Sequence, residues 1–385
     1  MKNYDVIIIG AGAAGLSAAG TAVARGRRVA VLEMGNQIAR KVMVSGGGRC
    51  NFTNMGATYD RYFGKNREFV RGALSRVSPR DILNWVDAHG IESTEKSPGQ
   101  YFTADGAKGI VEALLMDARG ADIITNCVVQ SVEKSDDFFI IRTTRGDFCS
   151  QSVIIATGGT SFPSLGVSDA GMRFAKQFGH KIVPVRPALC SLVVSGLPAT
   201  LAGVSLNAEI KIGKSIVSDS LLFTHFGIGG PAAYRASLYD LSGGIYINLM
   251  PGVDVAQWLC EQKPINGRRT VANILGGALP QSVAKWIVGM DSRRIADIKN
   301  NELSQIAGRV SDIFIPGDKI KLHGLAAAEV VRGGVSTRDV SSKTMESKLC
   351  PGLFLAGEVL DIVGDLGGFN LHWAWASGRV AGANA

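Results

Sequence analysis

The sequence lacks the paired cysteines that mark disulfide frameworks and zinc sites. Its six cysteines are spread along the chain, at positions 50, 127, 149, 190, 260 and 350, and no two form a CxxC pair. This spacing favours neither a disulfide-linked secreted fold nor a bound zinc ion, so we expect no metal site. Isolated cysteines of this kind are typical of small core residues.

Long apolar runs are also missing. No stretch of the sequence reaches the roughly 18 apolar residues that a membrane-spanning helix needs. The apolar segment Asp5–Ile9 is explained better by a structural strand than by a signal peptide, which predicts a cytoplasmic protein. With 385 residues, 46% hydrophobic and 19% charged, the chain is typical of a globular protein of two or three domains.

Acidic residues are fewer than basic ones, 33 against 41, which gives a formal net charge of +8. Segment 61–80 contains a single acid, and its six basic residues are Arg61, Lys65, Arg67, Arg71, Arg76 and Arg80. Arg67 and Arg71 have i,i+4 spacing, which predicts that they share one face of a helix. Arg76 and Arg80 have the same spacing and carry the same expectation.

Two interpretations of these charges remain open. They are either a solvated face or a surface that contacts the phosphates of a polyanion such as RNA. A second basic group occurs later in the chain and comprises Lys263, Arg268, Arg269, Arg293, Arg294 and Lys299.

Hydrophobic patterns predict a strand–helix–strand unit at the start of the chain. Asp5–Ile9 and Val29–Leu32 are predicted as buried parallel strands on either side of a helix over Ala13–Arg25. Further elements are predicted as helices over 66–90, Lys108–Arg119, 254–314 and Phe369–Ala383, and as strands within 123–149 and over Ser152–Ala156, Leu192–Val194, Ala208–Ile212, Leu221–Thr224, Ile245–Leu249 and Gly352–Ala356.

The junction between the first strand and the first helix carries a GxGxxG motif. Gly10 permits a tight turn, Gly12 allows the backbone to approach a pyrophosphate, and Gly15 lets helix and strand pack closely. Glu33 ends the second strand, where a carboxylate binds ribose hydroxyls and repels a 2′-phosphate. The motif therefore predicts NAD or FAD rather than NADP. Neighbours predicted to contact the dinucleotide are Ala13, Ala14 and Met34.

Three further segments favour FAD over NAD. After the second strand comes a glycine-dense loop with basic flanks, whose predicted contact residues are Arg40, Lys41, Ser45, Gly46, Gly47, Gly48, Arg49, Cys50 and Asn51. Thr157-Gly158 and Gly357-Glu358 each follow a predicted strand and resemble short motifs of flavoproteins with the two-dinucleotide-binding fold. The amides of Gly368, Phe369, Asn370 and Leu371 open the last helix, where they are predicted to meet the pyrimidine edge of the flavin.

Taken together, these motifs resemble the BaiN-like, or RdsA-like, family of NAD(P)/FAD-dependent oxidoreductases. The segments that carry the resemblance are GAGAAG, RKVMVSGGGRCNFTN, LLFTHFGIGGPA, GGVSTRDVSSKTMESK and GLFLAGEVLDIVGDLGGFNLHWAWASG, and they run from residue 2 to about 382. The resemblance implies that Val128 and Asp361 also lie near FAD. The chain has Phe369 and His372 where the family usually has Tyr and Gln, and Asp365 occupies a variable position.

The resemblance also implies a fold class and domain limits. It implies an α/β fold, with a Rossmann-like FAD-binding domain of the two-dinucleotide type interrupted by a β-rich insertion and a small helical domain. The expected limits are 1–190 and 349–385 for the FAD-binding domain, 191–252 for the β-rich insertion, 253–316 for the helical insertion and 317–348 for the return through the insertion.

Three side chains are candidates for proton transfer beside the flavin. Cys50 lies in the loop predicted to cover the flavin, and His372 lies two residues after Asn370. His225 lies in a predicted turn of the insertion. A structural role is the alternative for each: packing within the loop for Cys50, packing beside tryptophans for His372, and a capped turn for His225.

We expect FAD to accept a hydride at N5 from NAD(P)H and to pass it to an electron-poor double bond. No second GxGxxG exists, so the nicotinamide donor is expected to bind transiently. Family members have been linked to reduction of uridine in large-subunit ribosomal RNA, and the basic surface favours that substrate. A small-molecule reductase or amine oxidase is the alternative, and a non-catalytic FAD-binding RNA or assembly factor is the second.

The first prediction concerns the cofactor. The purified protein should be yellow and should release FAD, rather than FMN or NAD, on denaturation, because the GxGxxG motif, Glu33 and the two flavoprotein-like motifs all fit that dinucleotide. Chromatography of the released compound measures this directly. A colourless protein that cannot be reconstituted with FAD would contradict the prediction.

Overall fold

The computed structural model describes residues 2–385 and divides the chain into two compact units. The first comprises residues up to Arg186 together with Glu329–Ala385, and the second comprises Pro187–Ala328. Residues 329–348, expected to belong to the insertion, lie in the first unit. They do so because the strand Val330–Val335 pairs with Ile182–Ala188.

The first unit begins with ten strands and six helices. The strands are β1 (Lys2–Ile9), β2 (Val29–Leu32), β3 (Asn51–Asn54), β4 (Tyr62–Phe63), β5 (Ser93–Ser97), β6 (Gln100–Thr103), β7 (Asp122–Ile124), β8 (Val129–Ser135), β9 (Phe138–Thr143) and β10 (Gly146–Ile155). The helices are α1 (Ala13–Ala24), α2 (Arg40–Val44), α3 (Arg71–Leu74), α4 (Pro79–Ala88), α5 (Lys108–Asp117) and α6 (Ala170–Gln177). Short 3₁₀ helices cover Ser45–Gly48, Tyr59–Arg61, Arg67–Val70 and Pro163–Leu165.

The second unit is mostly antiparallel sheet with helices after it. Its elements follow β11 (Ile182–Ala188) and are β12 (Leu192–Val194), β13 (Ser205–Ile212), β14 (Ser215–Thr224), β15 (Gly227–Gly229), α7 (Gly230–Ala236), β16 (Ile245–Asn248), α8 (Val255–Asn266), α9 (Val271–Leu275), α10 (Gln281–Val288), α11 (Asn300–Ser311), β17 (Ile313–Ile315) and β18 (Ile320–Leu322). The sheet has the order β17-β16-β13-β14-β15-β12-β18. Its core is separate from that of the first unit and includes Leu259, Leu275 and Leu303.

The chain then completes the first unit. The final elements are β19 (Val330–Val335), β20 (Leu353–Leu355), β21 (Val363–Gly364) and α12 (Phe369–Asn384). β20 adds to the main sheet beside β10, and α12 packs on α1. The first unit is therefore built from both ends of the chain.

The main sheet of the first unit has the order β7-β2-β1-β10-β9-β8, with β20 also beside β10. Strands β7, β2, β1, β10 and β20 are parallel, whereas β9 and β8 are antiparallel. The parallel strands have continuous buried runs because helices cover the sheet. Their carboxyl ends meet at one edge, where Gly10, Glu33, Thr157 and Gly357 follow within two residues. The predicted α/β fold class is confirmed.

Glycines allow α12 to lie against the backbone of α1. A Cβ atom at Gly378 would stand 2.3 Å from the carbonyl oxygen of Ala14, and one at Gly382 would stand 2.2 Å from that of Ala18. Real side chains never approach backbone so closely, so only glycine permits this distance between the helices. The approach aligns the two helices that carry the GxGxxG motif and the final glycine-rich motif.

The predicted helix over 66–90 is wrong in its middle. It is divided into a 3₁₀ turn and the helices α3 and α4 because Ser78 is in an extended conformation (ψ 163°) before Pro79. Ser78 accepts a hydrogen bond from the Asp81 amide as the N-cap of α4. Arg76 therefore lies outside any helix, and the predicted shared helix face of Arg76 and Arg80 is not formed.

No helix within residues 2–385 combines the length and the apolar character needed to cross a membrane.

The packing of α12 on α1 generates the second prediction. Gly378→Ala should lower the free energy of unfolding of the first unit by about 1–3 kcal/mol, because the added methyl group must displace the Ala14 backbone. Urea denaturation followed by intrinsic fluorescence measures the change. Gly109→Ala in α5 is the matched control, since its Cβ would make ordinary contacts of 3.5 Å or more with Ile91.

The control should be neutral or should stabilise the protein by up to about 1 kcal/mol, the helix-propensity gain of alanine over glycine. Equal unfolding curves for Gly378→Ala and the wild type would contradict the close approach of the two helices.

Candidate functional site

The GxGxxG turn has the geometry of a phosphate-binding loop. Gly10 has a φ of +106°, and a Cβ there would stand 2.5 Å from the Ala156 carbonyl oxygen. A Cβ at Gly15 would stand 1.9 Å from the carbonyl oxygen of Gly10, so helix and turn touch. A Cβ at Gly12 would meet nothing within 4 Å. The turn is therefore tight at Gly10 and Gly15 and open at Gly12, where a pyrophosphate is expected.

Glu33 lies at the carboxyl end of β2 and faces this turn. Its carboxylate accepts hydrogen bonds from the Ala11 amide (2.9 Å) and from the Gly35 amide (2.8 Å). The Glu33 carbonyl accepts a hydrogen bond from the Cys127 amide, which brings Val128 to the same edge. Met34 and Val128 are each 42% exposed there. This edge combines an anchored carboxylate with two exposed apolar side chains, as the ribose and adenine end of a dinucleotide requires.

A lysine–glutamate ion pair links the two segments of the chain that form the first unit. The Lys41 ammonium donates to the Glu358 carboxylate (2.7 Å) and to the Ser161 hydroxyl (2.9 Å). Glu358 also accepts hydrogen bonds from the amides of Val331 (3.0 Å) and Gly159 (3.4 Å). These contacts join α2, the loop after β10, β19 and the loop after β20.

The loop after β10 presents Thr157 and Gly158. Gly158 has a φ of +74°, and a Cβ there would meet nothing within 4 Å. The Thr157 hydroxyl oxygen is buried and has no hydrogen-bond partner within residues 2–385. Arg40 holds the continuation of this loop, since its guanidinium donates to the Leu165 carbonyl (2.6 Å).

The glycine-dense loop is held at its ends and open in its middle. Gly46, Gly47 and Gly48 have φ values of 56°, 67° and 84°, which favour glycine. The Cys50 amide donates to the Ser45 carbonyl (3.0 Å), which closes the loop. A Cβ at Gly47 would meet nothing within 4 Å.

The same loop is tied to its neighbours through its second half. The Ala107 amide donates to the Gly48 carbonyl (2.9 Å), and the Thr103 hydroxyl donates to the Arg49 carbonyl (2.7 Å). The Arg49 side chain is exposed. It is thus available to meet an anionic ligand.

The amino terminus of α12 lies against β3. Gly368 has a φ of +92°, and the Asn54 amide group donates to the Gly367 carbonyl (2.7 Å). Asn370 exchanges hydrogen bonds with the Gly364 backbone (2.8 and 3.0 Å). Leu371 is half-buried and packs against the core of the first unit.

Phe369 and Asn51 complete this end of the site. Phe369 is buried, and the Arg61 guanidinium lies 5.2 Å from its ring centre. The Asn51 amide group donates to the Gln100 side chain (3.1 Å), while the Asn51 side-chain oxygen is buried without a partner within residues 2–385. A hydrogen-bond donor on a ligand would satisfy that oxygen.

Asp361 is buried and faces away from solvent beneath this region. Its carboxylate accepts a hydrogen bond from the Lys65 amide (3.0 Å). Desolvation by burial raises the pKa of Asp361 above the usual range, partly offset by that hydrogen bond. The side chain therefore stabilises the turn at Lys65.

Cys50 and His372 are placed in the core. Cys50 is fully buried with a φ of +47°, and burial raises the pKa of its thiol to about 12. His372 is fully buried, its Nδ1 lies 2.9 Å from the Thr53 hydroxyl, and burial lowers its pKa to about 4. At neutral pH the thiol is protonated and the imidazole is uncharged, so both side chains have the properties of structural residues.

His225 lies in the second unit, in the exposed turn between β14 and β15. The neighbouring Phe226 is 37% exposed and its ring packs on that of His323, with 4.1 Å between ring centres. The accessible His225 remains a candidate for proton transfer.

The structure brings together most residues predicted to bind the cofactor. The GxGxxG turn, Glu33, the glycine-dense loop, Thr157, Glu358 and the α12 amino terminus all belong to the first unit. Sequence reasoning missed Ser161, Gln100 and Ser377, whose hydroxyl accepts from the Gly357 amide (2.9 Å). Ser161 lies four residues after Thr157, which is a usable signal, but nothing in the sequence links Gln100 to Asn51.

FAD fits the residues that are present. The buried Thr157 hydroxyl and Asn51 side-chain oxygen have no hydrogen-bond partner within residues 2–385, and the Cβ positions of Gly12, Gly47 and Gly158 are open. If FAD binds here, Glu33 would meet the ribose, the α1 amino terminus would meet the pyrophosphate, and the α12 amino terminus would meet the edge of the flavin that becomes negative on reduction.

Comparisons with known proteins agree with this geometry. The family model described as HI0933-like protein Rossmann domain matches residues 4–384. The ribosomal RNA dihydrouridine synthase of Escherichia coli (strain K12) is 35% identical over 98% of this chain and 96% of its own. The protein of the same name from Haemophilus influenzae is 37% identical over 98% and 97%. The 3-dehydro-bile acid delta(4,6)-reductase of Clostridium scindens is 30% identical over 98% of both chains.

Solved structures share the fold. The open conformation of a flavocytochrome c3 fumarate reductase has a TM-score of 0.50 at 17% identity, over 100% of this chain and 78% of its own. The 3-ketosteroid-delta4-(5alpha)-dehydrogenase of Rhodococcus jostii RHA1 has a TM-score of 0.51 at 14% identity, over 100% and 96%. The comparisons confirm the family resemblance and the oxidoreductase prediction, and the solved structures confirm the fold.

The third prediction concerns Glu33. Glu33→Ala should weaken FAD binding about tenfold or more, because a carboxylate hydrogen bond to ribose contributes about 1.5–3 kcal/mol. Titration of the apoprotein with FAD, followed by flavin fluorescence, gives the dissociation constant. Glu112→Ala removes an exposed carboxylate of the same unit that pairs with Lys108, and it should leave FAD binding unchanged. Equal dissociation constants for Glu33→Ala and the wild type would contradict the ribose contact and would show that the Glu33 carboxylate only stabilises the turn.

Proposed function

This chain belongs to the HI0933-like Rossmann-domain family, and on that premise we propose that it reduces uridine in large-subunit ribosomal RNA to dihydrouridine. The observation that carries the proposal is the pair of relatives named ribosomal RNA dihydrouridine synthase. They match at 35% and 37% identity and along nearly the whole length of both chains. A ribosomal RNA substrate is also consistent with the predicted cytoplasmic location.

Bound FAD would supply the hydride for C6 of uracil, with NAD(P)H as the electron donor and a proton added at C5. The chain's own residues hold the cofactor in place. When FAD is bound, the turn at Gly10–Gly15 would meet the pyrophosphate, Glu33 the ribose, and the amide groups at Gly368 and Phe369 the pyrimidine edge that becomes negative on reduction. The reaction converts NAD(P)H, a proton and uridine into NAD(P)⁺ and dihydrouridine.

Proton transfer to C5 is assigned to a group outside the core. The buried Cys50 thiol, with a pKa of about 12, does not release its proton at neutral pH, and the buried His372 is neutral there, a form whose ring N–H is too weak an acid to donate. The donor is therefore proposed to be water delivered with the substrate, and a role for the exposed His225 of the second unit stays a prediction.

Exposed cations of the first unit supply the contact with RNA phosphates. Lys65, Arg67, Arg76 and Arg80 are exposed. Arg61 differs, because it forms an ion pair with Asp365 (2.7 Å) and stabilises the loop before α12. A target base must leave its stack to reach a flavin, and phosphate contacts orient the strand for that step.

A small-molecule reductase is the second candidate. The 30% identity to a bile acid reductase over 98% of both chains favours it. That alternative assigns the basic side chains to solvent, so it predicts that their removal leaves turnover unchanged.

The fourth prediction tests the substrate. With NADH or NADPH the purified protein should form dihydrouridine in large-subunit ribosomal RNA from a strain that lacks the gene, as measured by nucleoside mass spectrometry. Arg76→Ala combined with Arg80→Ala should reduce the yield and flatten the log–log salt dependence of RNA binding by about 0.7–0.9 for each phosphate that is no longer neutralised. Reduction of the flavin by NAD(P)H should not change.

Lys108→Ala combined with Arg173→Ala removes two exposed cations that already have carboxylate partners, Glu112 and Asp169, and should match the wild type. No dihydrouridine with either nucleotide, together with turnover of a free enone, would favour the small-molecule reductase instead.

A further inference from the structure

Two arginines converge on the ring of Tyr59. The Arg71 guanidinium carbon lies 3.6 Å from the centre of the ring, and that of Arg67 lies 5.9 Å from it. Tyr59 belongs to the 3₁₀ helix Tyr59–Arg61, and Arg71 begins α3. A separation of 3.6 Å places the Arg71 guanidinium in van der Waals contact with the aromatic face.

Glu68 neutralises Arg71 and restrains it. The Arg71 Nε atom donates to the Glu68 carboxylate across one turn of the chain. A cation with a carboxylate so close has little charge left to attract a distant phosphate. The Arg71 side chain is nevertheless 56% exposed. What Arg71 offers to a partner is therefore a planar, oriented and accessible surface rather than a free charge.

The chain connects this surface directly to the α12 end of the cofactor site. Strand β4 follows Arg61 and pairs with β21, where Tyr62 lies opposite Gly364. The Asp365 amide donates to the Arg61 carbonyl (2.9 Å), and Gly368 follows three residues later. Tyr59 thus lies two residues before Arg61, whose carbonyl binds the backbone that leads to the amino terminus of α12, where the flavin edge is predicted.

We propose that Arg71, supported by Tyr59, is a stacking platform for a nucleobase that flanks the target uridine. This inference rests on the proposed function, because it assumes an RNA substrate. Guanidinium planes and aromatic rings are the surfaces on which proteins stack unpaired bases. A flipped base leaves its neighbours unstacked, and a platform beside the site replaces the missing stacking partner.

Arg71→Lys separates stacking from charge. The lysine keeps the positive charge and the pairing with Glu68 but has no planar group. The variant should bind a 12-nucleotide single-stranded RNA with one central uridine about tenfold more weakly, within the range measured for single base–aromatic contacts. Its salt slope should equal that of the wild type. Fluorescence anisotropy at several salt concentrations measures both quantities.

A second set of RNAs identifies the stacked base. In this set each nucleotide flanking the uridine is replaced in turn by an abasic site. One replacement should weaken binding to the wild type about tenfold and should have no effect on Arg71→Lys. Tyr59→Phe keeps the supporting ring and should bind as the wild type does, whereas Tyr59→Leu should behave as Arg71→Lys does.

The matched control is Arg173→Lys. Arg173 is exposed and pairs with Asp169 as Arg71 pairs with Glu68, and within residues 2–385 it contacts no aromatic ring. Its RNA affinity should not change, and the flavin absorbance of every variant should match the wild type. Equal RNA affinity for Arg71→Lys and the wild type, with dihydrouridine still formed, would overturn the platform and leave the proposed function intact. A wild type that binds none of these RNAs would overturn the platform, and one that also forms no dihydrouridine in ribosomal RNA would overturn both.

Discussion

The contact of α12 with the backbone of α1 is the constraint on which the first unit depends. Each helix begins with a glycine-rich turn, and each turn is predicted to bind a different end of the same dinucleotide. Gly378 and Gly382 set how closely the helices approach, and Trp373 adds a hydrogen bond from its indole to the Gly357 carbonyl (3.1 Å). The packing of α12 on α1 therefore positions the predicted cofactor site, although the residues that make this contact do not themselves touch the ligand.

The sequence was most informative where local rules determine structure. The β1–α1–β2 unit, the strand before Thr157 and the final helix were all predicted, because buried parallel strands and GxGxxG turns leave strong periodic signals. The prediction of one helix over 66–90 was wrong because α3 ends at Leu74 and a new helix begins at Pro79, with the extended Ser78 as its N-cap. Long-range pairings such as Lys41 with Glu358, and Asn51 with Gln100, leave no local pattern in the sequence. They could be identified only from the three-dimensional structure.

The two residues nearest the flavin motifs with familiar acid–base chemistry are both buried in the core. Cys50 and His372 were candidates because of their positions along the chain, and burial determines their protonation instead. Desolvation cannot be read from a motif, because it depends on every neighbour that excludes water. Hydride transfer is consequently expected from the cofactor and proton transfer from accessible groups, while buried side chains such as Cys50 and His372 keep the surrounding structure in place.

The discontinuity of the first unit has a consequence for biosynthesis. Strand β20 and helix α12, which complete the sheet edge and the second glycine-rich turn, are translated only after the whole of the second unit. A nascent chain therefore carries the GxGxxG turn for most of its synthesis without the partner that closes the pocket. Stable loading of FAD is expected only after helix α12 has left the ribosome, so retention of the cofactor would show that β20 and α12 have been made and have packed against the first unit.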